Sequence, residues 1–204
     1  MDDLLARLSS LDAATIYEAA GQTGMVDPGI RRAWRGARVC GPALTVSGAP
    51  HDNLMLHRAV VAARPGDVIV ATVDDELRAG AWGEILTVAA QVRGITGLVI
   101  DGAVRDIEAI EKLGFPIFSR GLAIGACAKK QSGALNRPIE FGGVSVRPGD
   151  LIFGDADGLV VIDRERAGAV CAAAFARREK ERVMMESLRK GKTTLELFGL
   201  DGAE

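Results

Sequence analysis

The stretch from Trp82 to Asp106, WGEILTVAAQVRGITGLVIDGAVRD, carries Gly83 and Glu84 near its start and Asp101, Arg105 and Asp106 at its end. Arginine presents a planar fork that grips a carboxylate through two parallel hydrogen bonds. An aspartate one residue away can hold a hard divalent cation, Mg²⁺ or Mn²⁺, while leaving most coordination positions to water and ligand. Taken together, these types suit a small anionic substrate and a divalent metal. Each has a plainer reading: Asp106 as the N-cap of the helix that follows it, Arg105 as half of a surface ion pair. The run Gly83-Glu84-Ile85-Leu86 opens a predicted helix, where the first N–H groups lack intrahelical partners and favour anions. There the plain readings are a helix-entry glycine and an acid well placed in a first turn.

Other chemistry is poorly represented. His51 and His57 are six residues apart and show no convergence, and His57, in a mostly apolar helix, reads as a structural histidine. No Ser-His-Asp set, nucleophile elbow, phosphate-binding loop, zinc spacing or dinucleotide fingerprint occurs. Lys129 and Lys130, followed by Gln131, indicate an exposed turn and lack the buried surroundings of a Schiff-base lysine. Cys40, Cys127 and Cys171 are far apart, each among Val, Ala or Gly, and read as free buried thiols in a reducing compartment.

The elements that must position these residues follow from the hydrophobic pattern. Ser9 or Ser10 caps a predicted helix through Ala20, with Gly21 as its stop. ARVCGPALTV suits a strand interrupted at Gly41-Pro42, hence a bulge or an edge. A helix starting at Asp52 or Asn53 ends before Pro65-Gly66, and VIVATVD is a buried strand. Gly80 to Arg93 reads as a helix and Gly97 to Ile100 as a short strand. A Gly-containing turn then brings Asp101, Arg105 and Asp106 together. A helix over 106–113 and the strand FPIFSRG follow, and the region 122–139 has no clear pattern. VSV, LIF and LVVI are strands, the last two forming a hairpin with Asp155 to Gly158 at its tip. The final helix runs from near Arg164 to about Lys190. Its apolar stripe breaks at Arg177, Arg178 and Glu181, which predicts that it leaves its own domain for another subunit. Alternating helices and buried strands, then a β-rich half, indicate an α/β fold with a mixed sheet.

Composition narrows the function classes. The chain has 204 residues, which suggests one domain spanning 1–204 and a core that needs no disulfide or metal. A net charge of −2 argues against nucleic acid or an acidic membrane surface as partner. MDDLLARLSS shows neither a signal peptide nor a membrane span, so the cytoplasm is the expected location.

Glu84, the twenty residues Ile85 to Val104, and then Arg105-Asp106 resemble the 4-hydroxy-4-methyl-2-oxoglutarate / 4-carboxy-4-hydroxy-2-oxoadipate aldolase family. That family shares its fold with the regulator of ribonuclease E activity A. LDAATIYEAAG, GLVIDGAVRD, FPIFSRG and GDLIFGDADGLVVI extend the resemblance over nearly the whole chain. It implies a swivelling β/β/α domain with a mixed sheet core and a long C-terminal helix. It also implies a homotrimer or homohexamer with active sites between subunits. By the same resemblance, the backbone of Gly83, Glu84, Ile85 and Leu86 binds the pyruvate carboxylate, Arg105 binds the keto-acid portion, and Asp106 binds the Mg²⁺ or Mn²⁺ cofactor. Glu84 or Asp101 moves the proton, and Glu179 or Glu181 of a neighbouring subunit joins the metal's water shell. The implied activity is that of a class II pyruvate aldolase (a carbon–carbon lyase) of aromatic compound catabolism, with oxaloacetate decarboxylation as a side reaction. Its partner would be a small 4-hydroxy-2-oxo acid. The alternatives are a non-catalytic regulator that binds an RNA-processing enzyme and a dedicated oxaloacetate decarboxylase. Many of the aldolases carry Asp at the position of Glu84 and the regulators Gly. The retained charge therefore points toward an enzyme.

Overall fold

The computed structural model describes residues 2–73 and 77–200. The chain opens with α1 (Asp2–Ser9) and α2 (Ala13–Ala19), then β1 (Arg31–Arg32), β2 (Val39–Ser47), α3 (Leu54–Ala62) and β3 (Val68–Thr72). The middle contains β4 (Gly80–Trp82), α4 (Glu84–Val92), β5 (Gly97–Val104), α5 (Ile107–Leu113) and β6 (Ile117–Leu122). Five short strands follow: β7 (Ala134–Leu135), β8 (Ile139–Phe141), β9 (Val144–Val146), β10 (Leu151–Gly154) and β11 (Leu159–Ile162). The chain closes with α6 (Ala167–Arg189) and α7 (Thr194–Phe198).

The main sheet runs β1-β6-β5-β3-β2-β10-β11, with β4 beside β5 and β7 beside β2. The strands β2, β3, β5 and β6 are parallel neighbours, because a helix returns the chain between each consecutive pair in sequence. The pairs β10–β11 and β10–β2 are antiparallel, which makes the sheet mixed. Helices α3, α4 and α5 cover one face over a core including Leu56, Trp82, Leu86, Leu98 and Ile110. The other face packs Val70, Val99 and Phe118 against the β8–β9 ribbon. A third cluster seats α1, α2 and the first half of α6 on β10 and β11, around Leu8, Ile16, Phe153 and Val170.

Several expectations change in the folded chain. The cap of α2 is Asp12, which accepts the Thr15 N–H at 2.8 Å, and the residues before it form a separate helix, α1. Strand β2 is neither bulged nor at an edge. Its first residues pair with β10, and Pro42 falls just before the parallel ladder with β3 begins at Ala43. Proline is tolerated there because the β3 side asks for no donor at that residue. Gly80 to Trp82 form a strand rather than the start of α4, because they pair with Ala103 and Val104. Strand β5 is longer than its apolar run and carries Asp101 and Gly102 within it rather than in a turn, with a register shift between Ile100 and Ala103. Asp74, placed at the end of the third strand by its pattern, lies outside the described residues.

Candidate active site at the ends of β4 and β5

Strands β4 and β5 end side by side, with the Arg105 N–H donating to the Trp82 carbonyl at 2.9 Å. This places Gly83, at the entrance of α4, against Arg105 and Asp106, at the entrance of α5. Trp82 is fully buried and stacks on Phe115 with ring centroids 6.2 Å apart, which fixes this end of β4. Its indole N–H donates to Thr87 Oγ1 at 2.8 Å, and Thr87 in turn donates to the Gly83 carbonyl at 3.1 Å. The first turn of α4 is thus tied to the core on one side and opens to the cleft on the other.

Asp106 adopts the left-handed conformation, φ 59° and ψ 32°. This costs a non-glycine residue on the order of 1 kcal/mol, least for Asp and Asn. Its side chain makes no bond to its own helix, so the capping reading does not describe it. Its Oδ2 instead accepts the Glu84 N–H at 3.1 Å and lies 3.6 Å from Arg105 Nε. Both side chains remain about two-fifths exposed, at 41% and 42%. Arg105 and Asp106 stand between two hollows. The larger, about 670 Å³, is bounded by Leu122 to Gly125 and by Leu77 and Arg78. The smaller, about 80 Å³, is lined by Gly83, Ile85, Leu86, Asn53, His57 and Lys129.

The residues predicted for the site are partly brought together. Gly83, Ile85, Leu86, Arg105 and Asp106 share the smaller hollow. Glu84 contributes its backbone N–H to Asp106, while its side chain is exposed in the first turn of α4. Asp101 is not with them. Arg120 takes both of its oxygens, Nε to Oδ1 at 2.5 Å and Nη2 to Oδ2 at 3.1 Å, and reaches Asp27 Oδ2 with Nη1 at 2.9 Å. The two carboxylates push the Arg120 guanidinium further toward its charged form, the Asp101 hydrogen bond being the larger cause. Both Asp101 oxygens are thus held by Arg120.

Sequence reasoning missed Asn53, His57 and Lys129. The Asn53 amide donates to the Ala81 carbonyl at 2.9 Å, leaving its buried Oδ1 with no hydrogen-bond partner among the described residues. The buried Nε2 of His57 likewise has none. Burial first, and the Lys129 charge second, hold the His57 pKa below its ordinary 6.5, so the ring is neutral at neutral pH. Buried polar atoms are rarely left unpaired, so two such residues lining one hollow set this end of α3 apart from an ordinary core. The four-residue spacing of Asn53 and His57, one turn apart on a helix face, was the available signal.

A divalent cation can be tested against these donors. Among the described residues no three His, Cys, Asp or Glu side chains converge as a closed metal site. Asp106 offers one open oxygen, since no hydrogen bond among the described residues engages Oδ1. A single exposed carboxylate fits a hard cation that keeps most of its waters, as Mg²⁺ does, and does not fit a zinc-type cage.

The structure is that of an α/β protein whose mixed sheet ends in an open cleft holding an arginine and an aspartate side by side. The chain belongs to the RraA-like family (Aldolase/RraA), whose model matches residues 12–161. It is 48% identical over 127 residues to a Halalkalibacterium halodurans protein named "Putative 4-hydroxy-4-methyl-2-oxoglutarate aldolase". That match covers 62% of this chain and 60% of the relative, so it spans less than two thirds of the relative's length. Among solved structures, an uncharacterized protein from Pseudomonas syringae superposes with a TM-score of 0.86 at 31% identity, covering 95% of this chain and 91% of that one. Streptomyces coelicolor RraAS2, described as an unusual member of the RNase ES inhibitor RraA protein family, superposes at 0.81 with 26% identity, covering 91% and 96%. No described helix is long and apolar enough to cross a membrane.

Proposed function

We propose that the chain is a divalent-metal-dependent pyruvate aldolase that cleaves 4-hydroxy-2-oxo acids of the 4-hydroxy-4-methyl-2-oxoglutarate type. The observation that carries this reading is the Arg105–Asp106 pair, 3.6 Å apart at a cleft mouth, with the start of α4 donating to the same carboxylate. A substrate carboxylate and its adjacent keto oxygen match the guanidinium fork, and the N–H groups of the first turn of α4 add donors for the carboxylate.

Asp106 would hold the cation, which when bound supplies Lewis-acid polarisation of the 2-oxo group. The chain's own residues do the rest. Cleavage begins when the 4-hydroxyl gives up its proton, taken by the Glu84 carboxylate directly or through a water. The O–H electrons form the new carbonyl at C4, the C3–C4 bond breaks, and its electron pair moves through C3–C2 onto the 2-oxo oxygen. Arg105 faces that oxygen and stabilises the charge as it develops, in a site organised beforehand. Protonation at C3 then yields pyruvate. Asn53 and His57 line the smaller hollow beside Arg105 and Asp106. Oxaloacetate places a carboxylate where the 4-hydroxyl carbon stood, so loss of CO₂ leaves the same enolate and should occur as a side reaction.

The likeness to the RNase ES inhibitor family favours a second reading, a protein that binds an RNA-processing enzyme without catalysis. One assay separates them: pyruvate formation from 4-hydroxy-4-methyl-2-oxoglutarate and from oxaloacetate, with Mg²⁺ or with EDTA. Metal-dependent release supports the aldolase. No release from either substrate with Mg²⁺ or Mn²⁺ leaves the regulator.

A further inference from the structure

A separate cleft of about 450 Å³ is lined by Arg64, just after α3, Arg164, just after β11, and Asn136, just after β7. Its floor includes Pro42, Leu44 and Pro148. Ala43 and Asp67 also line it, at the level where the parallel ladder begins with Ala43 opposite Val68 and Val68 opposite Gly97. Arg105 comes after the far end of β5, whose 8 residues span roughly 25 Å at the rise of a strand. The two clefts are at opposite ends of the sheet.

Each of the two arginines has an aspartate beside it, yet that aspartate bonds the arginine's backbone. Asp67 Oδ2 accepts the Arg64 N–H at 2.8 Å, and Asp150 Oδ1 accepts the Arg164 N–H at 3.3 Å. Asp150 is 3% exposed, and its Oδ2 accepts the Arg147 N–H at 2.8 Å and lies 3.6 Å from Arg147 Nε. Arg147 also takes Asp163, Nη2 to Oδ2 at 2.5 Å. The neighbouring acids are thus engaged by main-chain donors and by Arg147. Among the described residues the Arg64 and Arg164 guanidinium groups make no ion pair or hydrogen bond, and neither does the Asn136 side-chain amide. A Cβ on Gly149 would meet Arg164 Nη1 at 3.3 Å and Cδ at 3.7 Å, so the Arg164 side chain runs over a glycine of the cleft wall.

Two guanidinium groups against one carboxylate make this cleft locally positive in a chain of net charge −2. A single carboxylate occupies one guanidinium fork. Two forks from separate loops match a tetrahedral oxyanion, which has oxygens for both and a second charge near neutral pH. The cleft is larger than such an ion and its floor is apolar, so there is room for an organic group on it.

We propose that this cleft binds a small organic phosphate monoester, with Arg64 and Arg164 holding the phosphate over the Pro42, Leu44 and Pro148 floor. The site needs neither the metal nor the oxo acid of the aldolase reading.

Titration calorimetry on the full chain tests it with phenyl phosphate. Inorganic phosphate supplies the ion without the body, and benzoate the body with one carboxylate. Phenyl phosphate should bind with a Kd of about 1 mM or below, and the other two about tenfold more weakly. Arg64→Gln and Arg164→Gln should each raise the phenyl phosphate Kd about tenfold, while Arg105→Lys leaves it within about twofold. Both Gln variants keep the backbone N–H that Asp67 or Asp150 accepts, so their melting temperatures should stay within about 3 °C of wild type. Should either fail to fold, Arg64→Lys or Arg164→Lys, which keeps the charge and loses the fork, must raise the Kd about threefold. No binding of phenyl phosphate at about 10 mM overturns the proposal. So does a Kd that responds to Arg105→Lys and not to the cleft variants. Inorganic phosphate binding as tightly as the ester overturns the organic group, and benzoate doing so overturns the phosphate. Loss of pyruvate release with phosphate binding intact would count against the aldolase reading alone.

Discussion

A Cβ placed on Gly83 would lie 2.4 Å from Oδ2 of Asp106 and 3.2 Å from Cγ of Arg105. Gly83 is in extended backbone, at φ −149°, so its missing side chain matters for space and not for conformation. The absence of that carbon lets a carboxylate from the end of β5 reach the first N–H of α4. Gly83→Ala should therefore displace the Asp106 carboxylate and lower pyruvate release by about 100-fold, as misplacement near 1 Å does in preorganised sites. Steady-state kinetics beside a thermal melt would check it, the melting temperature changing little.

Asp106→Asn keeps a residue that tolerates the left-handed backbone and can still accept from the Glu84 N–H, but removes the charge. Pyruvate release should fall about a thousandfold or more, with a melting temperature within about 3 °C of wild type. Retained turnover in a folded Asp106→Asn protein would take this carboxylate out of the mechanism.

Arg105→Lys retains the charge and loses the planar fork. Both KM for the oxo acid and kcat should worsen, the combined loss in kcat/KM reaching about 100-fold. Kinetics equal to wild type would show that the substrate head lies elsewhere.

Glu84 and Asp101 are both candidates for the proton, and the Arg120 contact with both Asp101 oxygens favours Glu84. Glu84→Gln should cost about 100-fold or more in kcat. Asp101→Asn should leave kcat in its original range and instead lower stability by about 1–3 kcal/mol, because it weakens the Arg120 contact that also holds Asp27. A reversed pattern in the two variants would reassign the proton to Asp101.

Acid should weaken the fold in two stages. His57 has a depressed pKa in the folded state, so below its ordinary 6.5 the unfolded chain takes up the proton first. The stability present above pH 6.5 is then lost as pH falls, until the folded ring also protonates. Asp27 and Asp52 are held below their ordinary 3.8. Asp27 is lowered mainly by the Gly29 N–H and then by Arg120. For Asp52 burial acts upward, but the N–H bonds from Leu54, Lys130 and Gln131 and the nearby Lys129 charge together outweigh it. Their contribution persists down to about that value and disappears as pH falls through the folded pKa. Thermal melts between pH 7.5 and 5.5 should therefore show a decline that His57→Gln flattens. An identical slope in the variant would show that His57 is not its source.

How much of this could be read in advance differs by residue. Arg105 and Asp106 are adjacent in sequence, and their shared location was legible because a strand and a helix start flank them. Gly83 to Leu86 were legible for the same reason, as a helix entrance. Asp101 was misread, since a carboxylate beside a glycine resembles a turn. What places it in β5 is a ladder partner, Thr72, that its own neighbours do not encode. His57 was read as a core histidine, because an apolar helix pattern reports which face is buried but not what the histidine faces.

By itself the chain determined its alternation of helices and strands, the mixed α/β class, the hairpin near its end and the arginine–aspartate pair. Such features depend on periodicity and on neighbours a few residues apart, where the backbone leaves few choices. Only the tertiary structure decided that Arg120 captures Asp101 and that Asn53 and His57 line one hollow with Arg105. The same holds for Asp52, whose carboxylate bonds Lys130 and Gln131 from nearly eighty residues away. Those contacts arise when separate elements pack into one core, and the partner a polar atom finds then depends on the whole arrangement of strands rather than on any local run of residues.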